Sequence, residues 1–192
     1  MLIVEDHPAL RAGLIALLSQ EPGVVCVGAV ASERELVAAL PHARPRVVVL
    51  DYALGRGDGL SACFRLKQRP DPPRVVLYSG YAGDVFAVPA RVAQADAVVS
   101  KSAPVDDLLD AIRSAANGAA PHVALDRASV HAASSRLHEH DLPVLAMLVG
   151  RHSVDDIALA LRTTPEQVRA RALRIIGRLQ AAHRLARADA TR

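Results

Sequence analysis

Five short apolar runs, each followed by a helix-length amphipathic stretch, constrain the first 118 residues more than any other feature of the chain. Leu2 to Val4, Val24 to Val27, Arg46 to Leu50, Arg74 to Tyr78 and Ala97 to Ser100 are β-branched and bounded by turn or polar residues, the pattern of strands buried in a parallel sheet. The stretches near 8 to 20, 33 to 41, 59 to 68, 83 to 94 and 105 to 117 are amphipathic. Five such βα units predict an α/β fold with a doubly wound, five-stranded parallel sheet. Pro89 falls inside the fourth helical stretch, so that helix should be kinked, short or late to start.

Beyond residue 118 the pattern changes. Residues 119–136 lose the periodicity and are rich in Ala, Ser and His, which reads as a linker with room for one short ordered piece. Residues 137–192 are wholly helical in pattern and form a second, smaller all-α domain after the 1–118 domain. His140 to Val149, Ser153 to Leu161 and Pro165 to Leu179 read as three helices, followed by a short tail helix rich in Ala and Arg. Ser153 with Asp156 marks one helix start, and Thr164, Pro165 and Gln167 supply N-cap, first-turn proline and capping-box partner for the next. Two starts about eleven residues apart, joined by a tight turn, fit a helix-turn-helix.

Charge divides along the same line. Residues 136–192 hold ten Arg against six acids, whereas residues 1–135 hold 13 basic against 14 acidic side chains. A nucleic-acid partner is therefore to be sought at the C-terminal segment. The opening MLIVEDHPAL has no basic region, and no apolar run approaches the roughly 20 residues of a membrane span, so a cytoplasmic protein without membrane attachment is expected. Cys26 and Cys63, the only cysteines, sit among apolar residues as buried reduced thiols would.

In a doubly wound sheet, ligands bind outside the carboxyl ends of the strands. Four of the five apolar runs end in a reactive or charged group there: Glu5 with Asp6, Asp51, Ser79 and Lys101. If the first and third strands are neighbours, three carboxylates crowd together, and two like charges about 4 Å apart repel by roughly 4 kcal/mol at an effective dielectric of 20. Such a cluster implies a cation, and oxygen ligands without thiolate or imidazole describe Mg2+ better than zinc. With the pocket neutralised, Asp51 can attack phosphorus, Lys101 can pair with the phosphoryl charge and the Ser79 hydroxyl can bond one of its oxygens. Singly, an acid ending a strand is usually a turn residue or helix cap; the four together, in chain order, argue for a site.

The segments LIVEDHPALRAGL, VVVLDYALGRGDGL, VVLYSG and VVSKSAP resemble the receiver domain of two-component response regulators over residues 1–118. The resemblance implies that Asp51 is the phosphoacceptor, that Glu5, Asp6, Asp51 and the Ala53 carbonyl hold Mg2+, and that Ser79 and Lys101 read the phosphoryl group. Three positions depart from the family pattern: Gly55 stands where proline is usual, Val98 where an aromatic is usual, and Ser102 where a cis proline is frequent.

On a helical wheel from Pro165, Val168, Ala172, Ile175, Ile176 and Leu179 share one face, which should be core. Arg171, Arg174 and Arg178 lie on a flank suited to phosphates, while Arg169, Ala170 and Leu173 point away from the core, where a groove floor would be. A solvated basic face is the plainer reading of such a stripe. The segment HDLPVLAMLVGRHSVDDIALALRTTPEQVRARALRIIGRL, however, resembles the LuxR-type output domain of the NarL/FixJ class of response regulators. That resemblance implies DNA binding through Thr164, Gln167, Arg169, Ala170, Arg171, Leu173, Arg174 and Arg178. Departures are Asp141 for the usual Glu, Arg162 for Gly, Gln167 for Thr, Arg171 for His and Leu173 for a polar residue.

Both resemblances together imply a transcription factor phosphorylated by a sensor histidine kinase and binding double-stranded promoter DNA as a homodimer, not an enzyme. An aspartyl-phosphate hydrolase would need a second Asp two residues after the nucleophile, where Ala53 stands. The other alternative is a DNA-binding regulator with an atypical receiver that phosphorylation does not switch, motivated by Val98 and the altered loop.

Overall fold

The computed structural model describes residues 1–55, 58–80, 84–119, 123 and 125–190, with backbone alone at 84, 85 and 182–190. Strands β1 (Leu2–Val4), β2 (Gly28–Val30), β3 (Val47–Asp51), β4 (Arg74–Ser79) and β5 (Ala97–Ser100) pair in parallel in the order β2-β1-β3-β4-β5. Helices α1 (Pro8–Leu18), α2 (Glu33–Ala43), α3 (Gly59–Lys67), α4 (Asp84–Val92) and α5 (Val105–Ala116) alternate with them. Val4 pairs with Leu50, so Glu5 and Asp51 leave adjacent strands at the same edge of the sheet.

The second strand is not where its apolar run lies. β1 offers only three residues for pairing, and its register sets Leu2 opposite Gly28. The Val27 amide donates to the Met1 carbonyl at 2.8 Å and the Glu5 amide to the Val30 carbonyl at 3.0 Å, which brackets the pairing. Val25 is left 69% exposed, so that run is apolar without being buried. The strand is corrected from Val24–Val27 to Gly28–Val30 because hydrogen-bond register outweighs β-propensity at a sheet edge.

Ile3, Val49 and Val76 of the central strands pack with Leu14 and Leu18 of α1 and Leu108 and Ile112 of α5. Each such aliphatic side chain contributes roughly 1.5–3 kcal/mol on full burial. One buried charge is tolerated because it is shared: Asp96 accepts from Lys67 at 2.9 Å, Arg74 at 3.0 Å and the Val75 amide at 2.7 Å. Cys63 is buried and the loss of water pushes its thiol well up, whereas Cys26 is only half-buried and donates to the Gly28 carbonyl.

By mutual contact the chain forms two compact units, Met1–Ala82 with Ala95–Val123, and Gly83–Gln94 with Ala124–Arg192. The second contains α6 (Arg127–Ser134), a 3-10 turn (Glu139–Asp141), α7 (Leu142–Val149), α8 (Val154–Ala160) and α9 (Pro165–Ala190). α6 falls within the stretch read as linker, of which residues 120–122 and 124 lie outside the described residues; Asp126 caps it by accepting from the Ser129 amide at 2.6 Å. α4 is grouped with this unit, against α6, α7 and α9. Its Phe86, Val88, Ala90 and Val92 are all buried, as an apolar sequence on several faces requires. Pro89 is accommodated inside the short helix.

No separate tail helix forms, since α9 runs unbroken from Pro165 to Ala190. Gly177 costs about 1 kcal/mol of helix propensity, which burial of Ile175, Ile176 and Leu179 around it offsets. Among the described residues no helix is long and apolar enough to cross a membrane.

Candidate functional site

The edge of the sheet where β1 and β3 end is strongly acidic. Glu5 and Asp51 are buried, Asp6 is half-buried, and one oxygen from each carboxylate lies within 4.8 Å of the others. The Lys101 ammonium donates to Glu5 Oε2 at 2.7 Å and lies 2.9 Å from Asp51 Oδ1. Its position follows from the end of the β4 to β5 ladder, where the Lys101 amide donates to the Ser79 carbonyl at 2.7 Å. Ser79, the last residue of β4, is fully buried.

Burial raises the Asp51 carboxyl above the ordinary range, against the opposing pull of Lys101 and of the Ala53 amide, which donates to Asp51 Oδ1 at 3.2 Å. Burial works against the Lys101 charge too, but hydrogen bonds to Glu5 and Asp51 overcome it and raise that ammonium. Glu5 and Asp51 share one lysine and Asp6 lies beside them, so the three carboxylates outnumber it. An all-oxygen set of this kind can coordinate a hard divalent cation. The Ala53 carbonyl accepts from the Gly55 amide at 3.1 Å, and Ala53 itself is exposed.

Two glycines shape the loop after Asp51. Gly59 opens α3 against β3, where an added Cβ would stand 2.2 Å from the Asp51 carbonyl oxygen, closer than any side chain permits. Gly55 adopts φ +52°, and its missing Cβ would stand 3.2 Å from Asp6 Oδ2. Proline, fixed near φ −65°, could not replace it in this turn. The departure at Gly55 therefore has a local conformational cause.

The structure also supplies site residues that the sequence reading passed over. Arg11, near the start of α1, donates to the Glu5 carbonyl at 2.7 Å and the Asp6 carbonyl at 3.3 Å, which fixes the turn carrying both acids. The His7 amide donates to Glu5 Oε1 at 3.1 Å, and the Tyr78 ring lies 5.8 Å from the Lys101 ammonium. An arginine five and six residues after an acid pair was the available signal. Val98 is half-buried, while the Ser100 and Ser102 hydroxyls bond each other at 2.7 Å.

In the helical unit, Ser153 and Asp156 form a reciprocal capping box on α8, and those bonds hold the Asp156 carboxyl below its usual range. Thr164 caps α9 by accepting from the Gln167 amide at 3.3 Å, and the Gln167 side chain accepts from the Thr163 hydroxyl. Val168, Ala172, Ile175, Ile176 and Leu179 are buried along one face. Of the other α9 residues singled out, Thr164, Gln167, Ala170 and Arg174 are exposed, and Arg169, Arg171, Leu173 and Arg178 are half-buried.

The arginines are not equivalent. Arg178 donates to Asp141 Oδ2 at 2.6 Å, and Arg171 donates to the His140 carbonyl at 3.2 Å with its Nε 3.9 Å from Asp141 Oδ1. Arg169 pairs with Glu166 at 3.3 Å. Asp141 is only 1% exposed, so these contacts fasten α9 to the turn before α7. Sequence had marked Asp141 only as a replacement for glutamate.

A family model described as the response regulator receiver domain matches residues 1–113. The chain is 34% identical over 116 residues to the DNA-binding transcriptional activator DevR/DosR of Mycobacterium tuberculosis, a match spanning 60% of this chain and 54%, about half, of that relative. It is 24% identical over 187 residues to the response regulator protein VraR of Staphylococcus aureus, covering 94% of this chain and 90% of the other. The crystal structure of a LuxR-family two-component response regulator from Aurantimonas sp. SI85-9A1 superposes with a TM-score of 0.59 at 28% identity, over 64% of this chain and 87% of that one. RcsB of Salmonella typhimurium is similar in fold over 93% of this chain and 90% of its own, with a TM-score of 0.56 at 18% identity.

Proposed function

The chain belongs to the response regulator receiver family, and from that premise we propose that Asp51 accepts a phosphoryl group from a sensor histidine kinase and thereby sets the engagement of promoter DNA by the C-terminal helices. We take residues 1–118 as the receiver, 119–136 as the linker and 137–192 as the LuxR-type DNA-binding domain. The observation that carries the reading is the buried Asp51 carboxylate, grouped with Glu5 and Asp6 and 2.9 Å from the Lys101 ammonium.

Glu5, Asp6, Asp51 and the Ala53 carbonyl would hold Mg2+, which when bound supplies charge neutralisation for the incoming phosphoryl oxygens. An Asp51 carboxylate oxygen attacks phosphorus, a P–O bond forms, and the P–N bond of a phosphohistidine breaks with its electron pair leaving on the imidazole. The Lys101 ammonium, already beside Asp51 Oδ1, then pairs with the new phosphoryl charge, and the Ser79 hydroxyl bonds one of its oxygens. Transfer draws Lys101 from Glu5 toward the phosphate, and the free-energy difference between the two arrangements is what biases the protein toward its DNA-binding state.

On DNA, Arg174 is exposed and suited to a phosphate contact, and Ala170 leaves room for close approach. Thr164, Gln167, Arg169, Arg171, Leu173 and Arg178 complete the proposed surface, with Arg171 and Arg178 acting from their Asp141 anchor. A homodimer on paired half-sites suits such helices.

Acetyl phosphate with magnesium, followed by intact mass and a DNA-binding assay, tests this. The expected outcome is a gain of one phosphoryl group, lost in Asp51→Asn, with tighter binding of a promoter fragment. Val98 supports a second reading, a DNA-binding regulator whose receiver is not switched: a phosphorylated protein with unchanged dimerisation and DNA affinity would establish it.

A further inference from the structure

At the opposite end of the sheet from Asp51 the sign of the charge reverses. The turns entering β3 and β4 and the end of α5 wall a hollow of about 910 Å³ lined by Arg44, Arg46, Arg69 and Arg74, with Asp71 the only acid among the described residues lining it. This does not reflect a generally basic surface, because residues 1–135 are near neutral, 13 basic against 14 acidic.

The available counter-charge is largely committed. Asp96 serves Lys67 as well as Arg74 and also accepts from the Val75 amide. Arg46 donates to the Ala116 carbonyl at 2.6 Å, the role a cation takes at a helix C-terminus. Arg44 and Arg69 are exposed, and their guanidinium groups have no hydrogen-bond or ion-pair partner among the described residues.

Arg44 is one of four non-glycine residues with positive φ among the described residues, with Gln94, Arg151 and Arg162. It ends α2 in the left-handed region, φ 39° and ψ 54°, where glycine is favoured and a residue with a Cβ is strained. Pro41, Pro45, Pro72 and Pro73 line the same hollow and stiffen its walls, so an anion entering it has less loop entropy to remove.

We infer that this hollow binds an oligophosphate, an anion of two or more linked phosphates, through the guanidinium groups of Arg44, Arg69 and Arg74. Planar guanidinium forks match phosphate oxygens, and the surplus of cations calls for a ligand of high charge density. No aromatic side chain is among the described residues lining the hollow, so the phosphate chain rather than a base supplies the affinity. Asp51 and its chemistry play no part.

Calorimetric titration of the full-length protein with inorganic tripolyphosphate and, separately, with a nucleoside triphosphate tests this. Saturation at one site per chain is expected for the inorganic anion. Comparable affinity for the nucleotide assigns the recognition to the phosphate chain, and markedly tighter binding assigns the source to a nucleotide. Arg44→Gly combined with Arg69→Ser should weaken binding at least about tenfold, without loss of melting temperature because glycine suits the helix end. Asp51→Asn and Arg174→Ala should bind as wild type does. The inference is overturned if tripolyphosphate gives no saturable binding, if the double variant binds unchanged, or if Arg174→Ala or added duplex DNA removes the binding.

Discussion

Asp51 in the first unit and Asp141 in the second are nearly inaccessible, 3% and 1% exposed, and each faces a cation at close range, 2.9 Å from Lys101 and 2.6 Å from Arg178. What surrounds them differs. Asp51 shares its one lysine with Glu5 and has Asp6 beside it. Asp141 has Arg178 to itself, with Arg171 and the His140 ring further out at 3.9 and 3.5 Å. A buried acid short of positive charge leaves room for a metal ion and then a transferred group. A buried acid with cations to spare is a fastening, and its guanidinium partners are held rather than freely offered to a ligand. The same residue type is thus suited to chemistry in one place and to architecture in the other, according to the balance of charge around it.

The contrast can be broken most forcefully at Arg178. Arg178→Ala leaves Asp141 buried with only the more distant Arg171 and the His140 ring, and should cost about 3 kcal/mol in urea unfolding of the helical unit. A loss below about 0.5 kcal/mol would show the pair to be no fastening. Gly55→Pro restores the residue common in the family but forces φ from +52° to a negative value, so about 1–3 kcal/mol of stability and some rate of phosphorylation by acetyl phosphate should be lost. An unimpaired Gly55→Pro variant would mean that the loop has other accessible conformations.

Asp51→Asn should act in the other direction from Arg178→Ala. Because burial raises the Asp51 carboxyl, its favourable contribution is present below the ordinary carboxyl value, about 3.9, and is lost as pH rises through the raised folded value. Without divalent cation, the asparagine variant should therefore gain in melting temperature over wild type as pH rises, and a constant difference across pH would contradict the burial argument. The smallest effect belongs to the α8 capping box. The Asp156 carboxyl is depressed by its bonds to Ser153, so its contribution is present above the ordinary value and lost as pH falls through the folded one. Asp156→Asn should flatten that acid limb in melting curves collected below about pH 4.

Much of this architecture is legible in the residues. β5 coincides with its apolar run, Ala97 to Ser100, and Ser153, Asp156, Thr164 and Gln167 make the caps their types and spacing require. Short-range chemistry decides such features, and a linear pattern records it. The misplaced β2 has another cause: Val24 to Val27 has the composition of a strand, but β1 supplies hydrogen-bond partners only further along. Likewise α9 runs through Gly177 because buried Ile175 and Ile176 before it and Leu179 after it outweigh a local preference.

The site divides in the same way. Glu5, Asp6, Asp51, Ser79 and Lys101 could be named from their positions at the ends of apolar runs, and the family resemblance followed from those residues. The bonding of Asp141 and the charge surplus of the four arginines of the hollow could not, because each acquires meaning from groups distant in the chain. By itself, then, the sequence determined the fold class, the polar residues at the strand ends and the helix starts, all of which depend on periodicity and on contacts a few residues apart. Only the tertiary structure decided which charges are matched and which are left in surplus, since charge balance is a sum over groups that folding alone brings together.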